Sequence, residues 1–228
     1  MLKPKKRISK QDLKEDKLVK TTLQVKAYVD ENYRQVVTVV LAIFAVIVIF
    51  IVYGQLKSQN SAEAQAELGV AQIEYSNNNL DNASERLIRL IEEYSSTDEA
   101  KQGMLILANI NYQQQKYDDA ELYFQEFVDS YSGSDVLLSS GYAGLAACLE
   151  IKSDFLGAAD YYETAAGTSE DYIESDNFLY LSGICLIKAG DNEKAKEIFQ
   201  RIVETSKTNQ RVRDAEVQLV LLGEPIKK

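Results

Sequence analysis

The sequence predicts an all-α chain: one N-terminal transmembrane helix, then an α-solenoid of about four helix-turn-helix repeats with a C-terminal capping helix. Three observations carry this expectation. Residues 36–53, "VVTVVLAIFAVIVIFIVY", form an apolar run whose only interior polar side chain is Thr38. An alanine-centred pattern recurs at Ala83, Ala120, Ala158 and Ala195, spaced by 37, 38 and 37 residues, and such self-similarity marks a repeat array. Apolar or small pairs lie 12 or 13 residues before each alanine: Val70 and Ala71, Leu107 and Ala108, Leu145 and Ala146, Ser182 and Gly183.

Residues 1–35 hold ten Lys or Arg against five Asp or Glu, a charge of +5, while the rest of the chain carries −15. The run at 36–53 would be about 27 Å long as a helix, close to the roughly 30 Å of a bilayer's hydrocarbon core. Tyr33 with Arg34 and Tyr53 with Lys57 stand at its two ends, where amphipathic side chains meet the membrane interface. A cleavable signal would have a shorter apolar region nearer the start. Positive charge stays on the cytoplasmic side, so residues 1–35 are expected to be a basic cytoplasmic segment and residues 54–228 to lie across the membrane. Just before the span, Val25, Tyr28, Val29 and Val36 share a helical face suited to the interface.

Residues 54–63 are polar and free of proline, and read as a helical stalk. The repeat domain follows over 64–222, with units at about 64–100, 101–138, 139–175 and 176–210 and a solvating cap at 211–222. Each unit reads as helix, turn, helix. The turns fall at "SNNN" (76–79), "QQQK" (113–116), "IKSD" (151–154) and "KAGD" (188–191). Thr97, Ser134 and Ser175, each followed by an acid, read as capping hydroxyls with first-turn charge. The same logic makes Asp118 and Asp119 first-turn charges of a second helix.

The charge balance argues against nucleic acid, whose phosphates require Lys and Arg. The chain has no histidine and two cysteines, which removes common serine triads and zinc sites. "GYAG" at 141–144 lacks the lysine and spacing of a phosphate loop. No catalytic residue, metal, cofactor or small-molecule substrate is expected. Cys148 and Cys185 occupy the slot that Ile73 and Ile110 fill in the first two units, a core slot. Equivalent atoms of stacked helices are about 8 to 10 Å apart, too far for a disulfide. Tyr117, Tyr123, Phe124, Phe155, Tyr162 and Phe199 are expected in the core.

Leu107, Ala108, Tyr112, Ala120 and Phe124 match the "L-A/G-x(2)-Y … A-x(3)-F" frame, and on these residues the chain resembles the tetratricopeptide repeat family over about 64–204. Its period exceeds the usual 34, and Ser95 and Ser132 stand where a closing proline is common. The resemblance implies a peptide-binding groove on the first helices, presenting Gln72, Tyr75, Gln102, Leu105, Asn109, Tyr112, Gln113, Ala147, Tyr180 and Ile184. Amides there can bond a backbone, and aromatic faces can hold apolar side chains. Of the basic clamp that chaperone-docking members use, only Asn109 has a counterpart.

The basic segment, "YVDENYRQVV", the single span and the acidic array together resemble the bacterial inner-membrane YfgM family. That resemblance implies a periplasmic adaptor at the Sec translocon, working with a membrane-anchored chaperone on exported clients, and contacting lipid through residues 36–53. An alternative is a structural scaffold with one fixed partner in an envelope, cell-division or outer-membrane assembly complex.

Overall fold

The structure, a computed structural model, describes residues 10–169, 174–206 and 209–224, with side chains from residue 19 onward. The described residues contain helices and turns and no strand. Two compact units partition the chain, up to Lys57 and from Ser58 on.

In the first unit, α1 (Lys10–Glu31) is followed at Asn32 by α2 (Tyr33–Ser76). The Asn32 N–H donates to Tyr28 O and its carbonyl accepts from Val36 N–H, both at 3.0 Å, so helical hydrogen bonding passes through the junction. The apolar run lies in α2, and none of that window is buried. By length and composition it can cross a membrane. Its first residues belong to the basic segment, of which residues 1–9 fall outside the described part.

The second unit takes the last part of α2 as its first helix. It continues with α3 (Leu80–Glu93), α4 (Asp98–Gln113), α5 (Tyr117–Ser130), α6 (Asp135–Ile151), α7 (Phe155–Thr168), α8 (Ser175–Ala189), α9 (Asn192–Thr205) and α10 (Asn209–Leu221). Each helix from α3 on packs against the next, and α4 also touches α6, as α8 touches α10, which is the contact pattern of a solenoid. Ala83, Ala120, Ala158 and Ala195 are all 0% exposed. Each lies in an apolar cluster of the array, where a small side chain lets helices pack closely.

Three apolar clusters fill the array. The first joins Leu68, Leu87, Leu90 and Ile110, the second Phe124, Phe127 and Leu145, and the third Leu179, Phe199 and Ile202. Tyr123 packs against the first two and Tyr161 against the last two, so the clusters are linked. Burying one such Phe or Leu side chain contributes about 1.5–3 kcal/mol.

The hairpin turns share one backbone solution. Asn78, Gln115, Ser153 and Gly190 all have positive φ, at 61°, 63°, 64° and 84°. In each, the following N–H reaches back to the carbonyl five residues earlier: Asn79 to Glu74, Lys116 to Asn111, Asp154 to Leu149 and Asp191 to Leu186, all at 2.9 Å. This is the paired bonding that satisfies a helix's last carbonyls. The turns are shorter than expected, since Ser76, Gln113, Ile151, Lys188 and Ala189 are still helical. Gly223, with φ 86°, ends α10 in the same way.

Several expectations need correction. Thr97 caps α4, its Oγ1 accepting from Ala100 N–H at 3.2 Å. Ser134 holds the cap position of α6 without a side-chain bond. Ser175 does not cap α8: that position is Glu174, and the Ser175 hydroxyl donates to Ala166 O at 2.8 Å, satisfying a terminal carbonyl of α7. Phe124, Tyr162 and Phe199 are buried as expected, but Tyr117, Tyr123 and Phe155 are only half-buried. Ile73 is 61% exposed although Ile110, Cys148 and Cys185 in the same slot are fully buried, because no earlier hairpin covers it. The outer face of the last helix is mixed, with Asn209, Gln210 and Arg213 exposed on it beside Val217, Val220 and Leu221.

Candidate functional site

Counting back from the left-handed residue that ends each first helix puts the hairpins on one register. All ten residues expected in the groove fall on five rows, 13, 10, 6, 3 and 2 residues before that point. Those offsets repeat at intervals of three and four, so the rows share one helix face.

The row at 13 is Gln65, Gln102, Ser140 and Asn177, uncharged throughout. The row at 6 is Gln72, Asn109, Ala147 and Ile184, which passes from amide to apolar along the array. Gln72 is exposed and the other three are half-buried. The Asn109 side chain donates to Leu105 O at 2.8 Å, which fixes its orientation. Gln102 is half-buried. Leu105, in the row at 10, is buried in the second cluster and offers little surface to a partner.

The rows at 3 and 2 hold the polar bridges between neighbouring first helices. Gln113 Nε2 donates to Tyr75 Oη at 2.7 Å. One unit on, the residues in the same two rows are Tyr112 and Ile151, the latter apolar and exposed. In the next step, Lys188 Nζ donates to Glu150 Oε1 at 2.6 Å. Tyr112 meets Tyr117 edge-on at 5.4 Å between ring centroids, and burial pushes its hydroxyl pKa up.

Tyr180 is half-buried and held from three sides. Its ring lies 5.7 Å from that of Phe199, the Arg211 guanidinium sits over it at 5.2 Å, and Gln218 Nε2 donates to its hydroxyl at 3.1 Å. The sequence reading missed Glu150, Lys188, Arg211 and Gln218. The signal was present, because Gln113 and Tyr75, Lys188 and Glu150, and Gln218 and Tyr180 are all 38 residues apart.

A second ladder runs along the turn edge. Lys152 Nζ pairs with Asp118 Oδ1 at 2.5 Å and Glu121 Oε2 at 2.8 Å. One unit earlier, Gln114 Nε2 donates to Asp81 at 3.4 Å. Asp118 and Asp119 are first-turn charges of α5, as expected, and Asp118 serves this bridge as well. Cys148 and Cys185 are buried, unbonded thiols, and burial pushes the pKa of each up to about 11. A thiol so displaced is protonated at neutral pH and a poor nucleophile.

The face can therefore hold a partner by amide hydrogen bonds and by apolar contact, with its few charges already paired. The sequence matches the tetratricopeptide repeat-like domain family over residues 26–222. No curated protein matches it. Among solved structures, it is similar to YrrB, described as a TPR protein with an unusual peptide-binding site, with TM-score 0.53 and 19% identity over 68% of this chain and 75% of that one. It is also similar to BtubC from P. vanneervenii, with TM-score 0.54 and 17% identity over 72% of this chain and 66% of that one. At these identities the likeness is one of fold.

Proposed function

The chain belongs to the tetratricopeptide repeat-like domain family, and from that premise we propose that it is a membrane-anchored adaptor that holds extended segments of other proteins against its first helices. Such repeats are protein-interaction scaffolds, and binding rather than catalysis is the activity assigned. The observation that carries the reading is the run of uncharged residues Gln65, Gln72, Gln102, Asn109 and Ser140 on one face of an otherwise strongly acidic array. An uncharged amide face suits a main chain, whose N–H and C=O groups need partners of either kind.

Residues 36–53 are the anchor, the basic N-terminus is cytoplasmic and the array is exported. Anchoring raises local concentration, so weak contacts suffice. By its similarity to the YfgM family, the adaptor serves polypeptides emerging from the Sec translocon beside a membrane-anchored chaperone.

A photocrosslinking residue at Gln72, with Asp119 on α5 as control, tests this in cells. A ladder of crosslinked clients at Gln72 and not at Asp119 is expected. One discrete band, of a mass other than twice that of the chain, would instead identify a scaffold with one fixed partner, and equal labelling at both sites would remove the groove assignment. A reporter fused after Lys228 that works only in the cytosol would overturn the exported placement.

A further inference from the structure

We propose that the chain forms a parallel homodimer through a charge-free stripe on α2, with the same stripe of a second copy as its occupant. The stripe is Gln59, Ala62, Ala66, Gly69 and Ile73, spaced by three, four, three and four residues. All are exposed except Gly69, which is half-buried. This alternation is the heptad seam of a two-stranded coiled coil. None of the five residues is charged.

The repeat itself shows that this face is built for a helix. In the next two hairpins the counterparts of Ala66, Val70 and Ile73 are Gly103, Leu107 and Ile110, then Gly141, Leu145 and Cys148, all buried. They lie against the second helix of the preceding hairpin. A Cβ on Gly103 would come within 3.0 Å of Leu90 Cδ2, and one on Gly141 within 2.6 Å of the Phe127 ring. The first hairpin has no preceding second helix, because the chain before it is α2 itself.

A second α2 matches the stripe in period and in charge. Ala62, Ala66 and Gly69 allow two backbones to approach closely. In a parallel pair the flanking positions bring Ser58 to Glu63, Gln65 to Val70 and Gln72 to Asn77 of the other copy, so no like charges meet. The acids are directed elsewhere. Glu63 accepts from Tyr94 Oη at 3.1 Å, Glu67 from Arg86 at 3.3 Å and Glu74 from Asn79 at 2.8 Å, all toward the same chain's own residues. The parallel orientation rests on the anchoring reading above, since two anchored copies enter the bilayer in the same sense.

The test uses the full chain in native membranes, with single cysteines introduced by Ala62→Cys, Ala66→Cys and, off the seam, Glu67→Cys. Under mild oxidation the first two should give a disulfide-linked species of twice the chain mass and the third should not, because residues on two successive turns both meet their own copies only in a parallel, in-register pair. No dimer, equal yield at all three sites, or linkage to a different protein would overturn the proposal. As a second measure, Ala66→Glu should convert a dimeric mass in detergent, read by light scattering, to the monomeric mass while the helical circular-dichroism signal stays that of the parent, with the urea midpoint falling to a value independent of chain concentration. A monomeric parent or a dimeric variant would overturn it equally. The pair also seats Gln72 beside Asn77 of the other copy, so a Gln72 adduct of twice the chain mass reports the dimer and a ladder of other masses reports clients; the cysteine links at Ala62 and Ala66 are read without clients, so the two readings fail separately.

Discussion

Lys188 Nζ lies 2.6 Å from Glu150 Oε1 across 38 residues of chain, repeating the step that joins Gln113 to Tyr75. Glu150 is the hub of the pair, since its other oxygen also accepts from Tyr162 Oη at 3.4 Å. Both partners of the ion pair keep some solvent exposure, so Lys188→Ala should cost no more than about 0.2–1 kcal/mol. Glu150→Ala should cost more, because it also strips the buried Tyr162 hydroxyl of its acceptor. Urea denaturation of both single variants and the double variant measures the coupling; equal single costs would mean that the tyrosine bond contributes nothing.

The left-handed turn residues give an opposite-signed pair of predictions. Gln115 and Ser153 hold a conformation that costs an L-residue about 1–2 kcal/mol relative to its preferred one. Gln115→Gly and Ser153→Gly relieve that cost, and after the extra chain entropy of glycine the expected gain is about 0.5–1 kcal/mol each. Gly190→Ala should lose a comparable amount. Thermal melts of the three variants decide it, and a loss of stability in both glycine variants would contradict the turn geometry.

These turns also show how much of the fold was legible in the sequence. The repeat alanines were, because a buried position that favours a small side chain leaves the same letter in all four units. Gln115 and Ser153 were not, because neither residue advertises a left-handed conformation as Gly190 does. The exposure of Ile73 was also out of reach, since its letter matches a buried slot and only its place at the array's first hairpin uncovers it. That the ten expected residues share one helix face was readable from the register, whereas the bridges of Glu150 with Lys188 and of Tyr180 with Gln218 needed the distance between helices.

The two thiols set an alkaline limit on stability. Burial raises the pKa of Cys148 and Cys185 from 9.0 to about 11. Folded thiols therefore keep their protons between these pH values while unfolded ones lose them. The unfolded state binds fewer protons there, so stability falls as pH rises from about 9 to 11 and is fully present below 9. The double variant Cys148→Ala, Cys185→Ala should make the fall of the urea midpoint over that window shallower, the remainder coming from tyrosines such as Tyr162, whose hydroxyl pKa burial also raises. An unchanged slope would mean that the thiols titrate alike in both states.

Ser182 is a polar residue in an apolar row. Its counterparts are Val70, Leu107 and Leu145, and its hydroxyl is buried with no hydrogen-bond partner among the described residues. Removing a buried hydroxyl in that condition returns its desolvation cost, so Ser182→Ala should raise stability by about 1 kcal/mol. A destabilised Ser182→Ala in a chemical melt would show that the hydroxyl is engaged.

Ala120 tests the hairpin packing directly. It is fully buried in the second cluster with Phe124, Ala108 and Leu145, side chains that come from α5, α4 and α6. Ala120→Leu adds three heavy atoms where neither α4 nor α5 can move without disturbing α6 as well, and overpacking of this kind costs typically about 1–3 kcal/mol. The exposed neighbour Asp119 provides the control, since Asp119→Leu changes the surface of the same turn and should shift stability by only about 0.5 kcal/mol or less. Urea unfolding followed by circular dichroism separates the two. A midpoint for Ala120→Leu matching that of Asp119→Leu would mean that the repeat alanine is not at the helix contact on which the array is built.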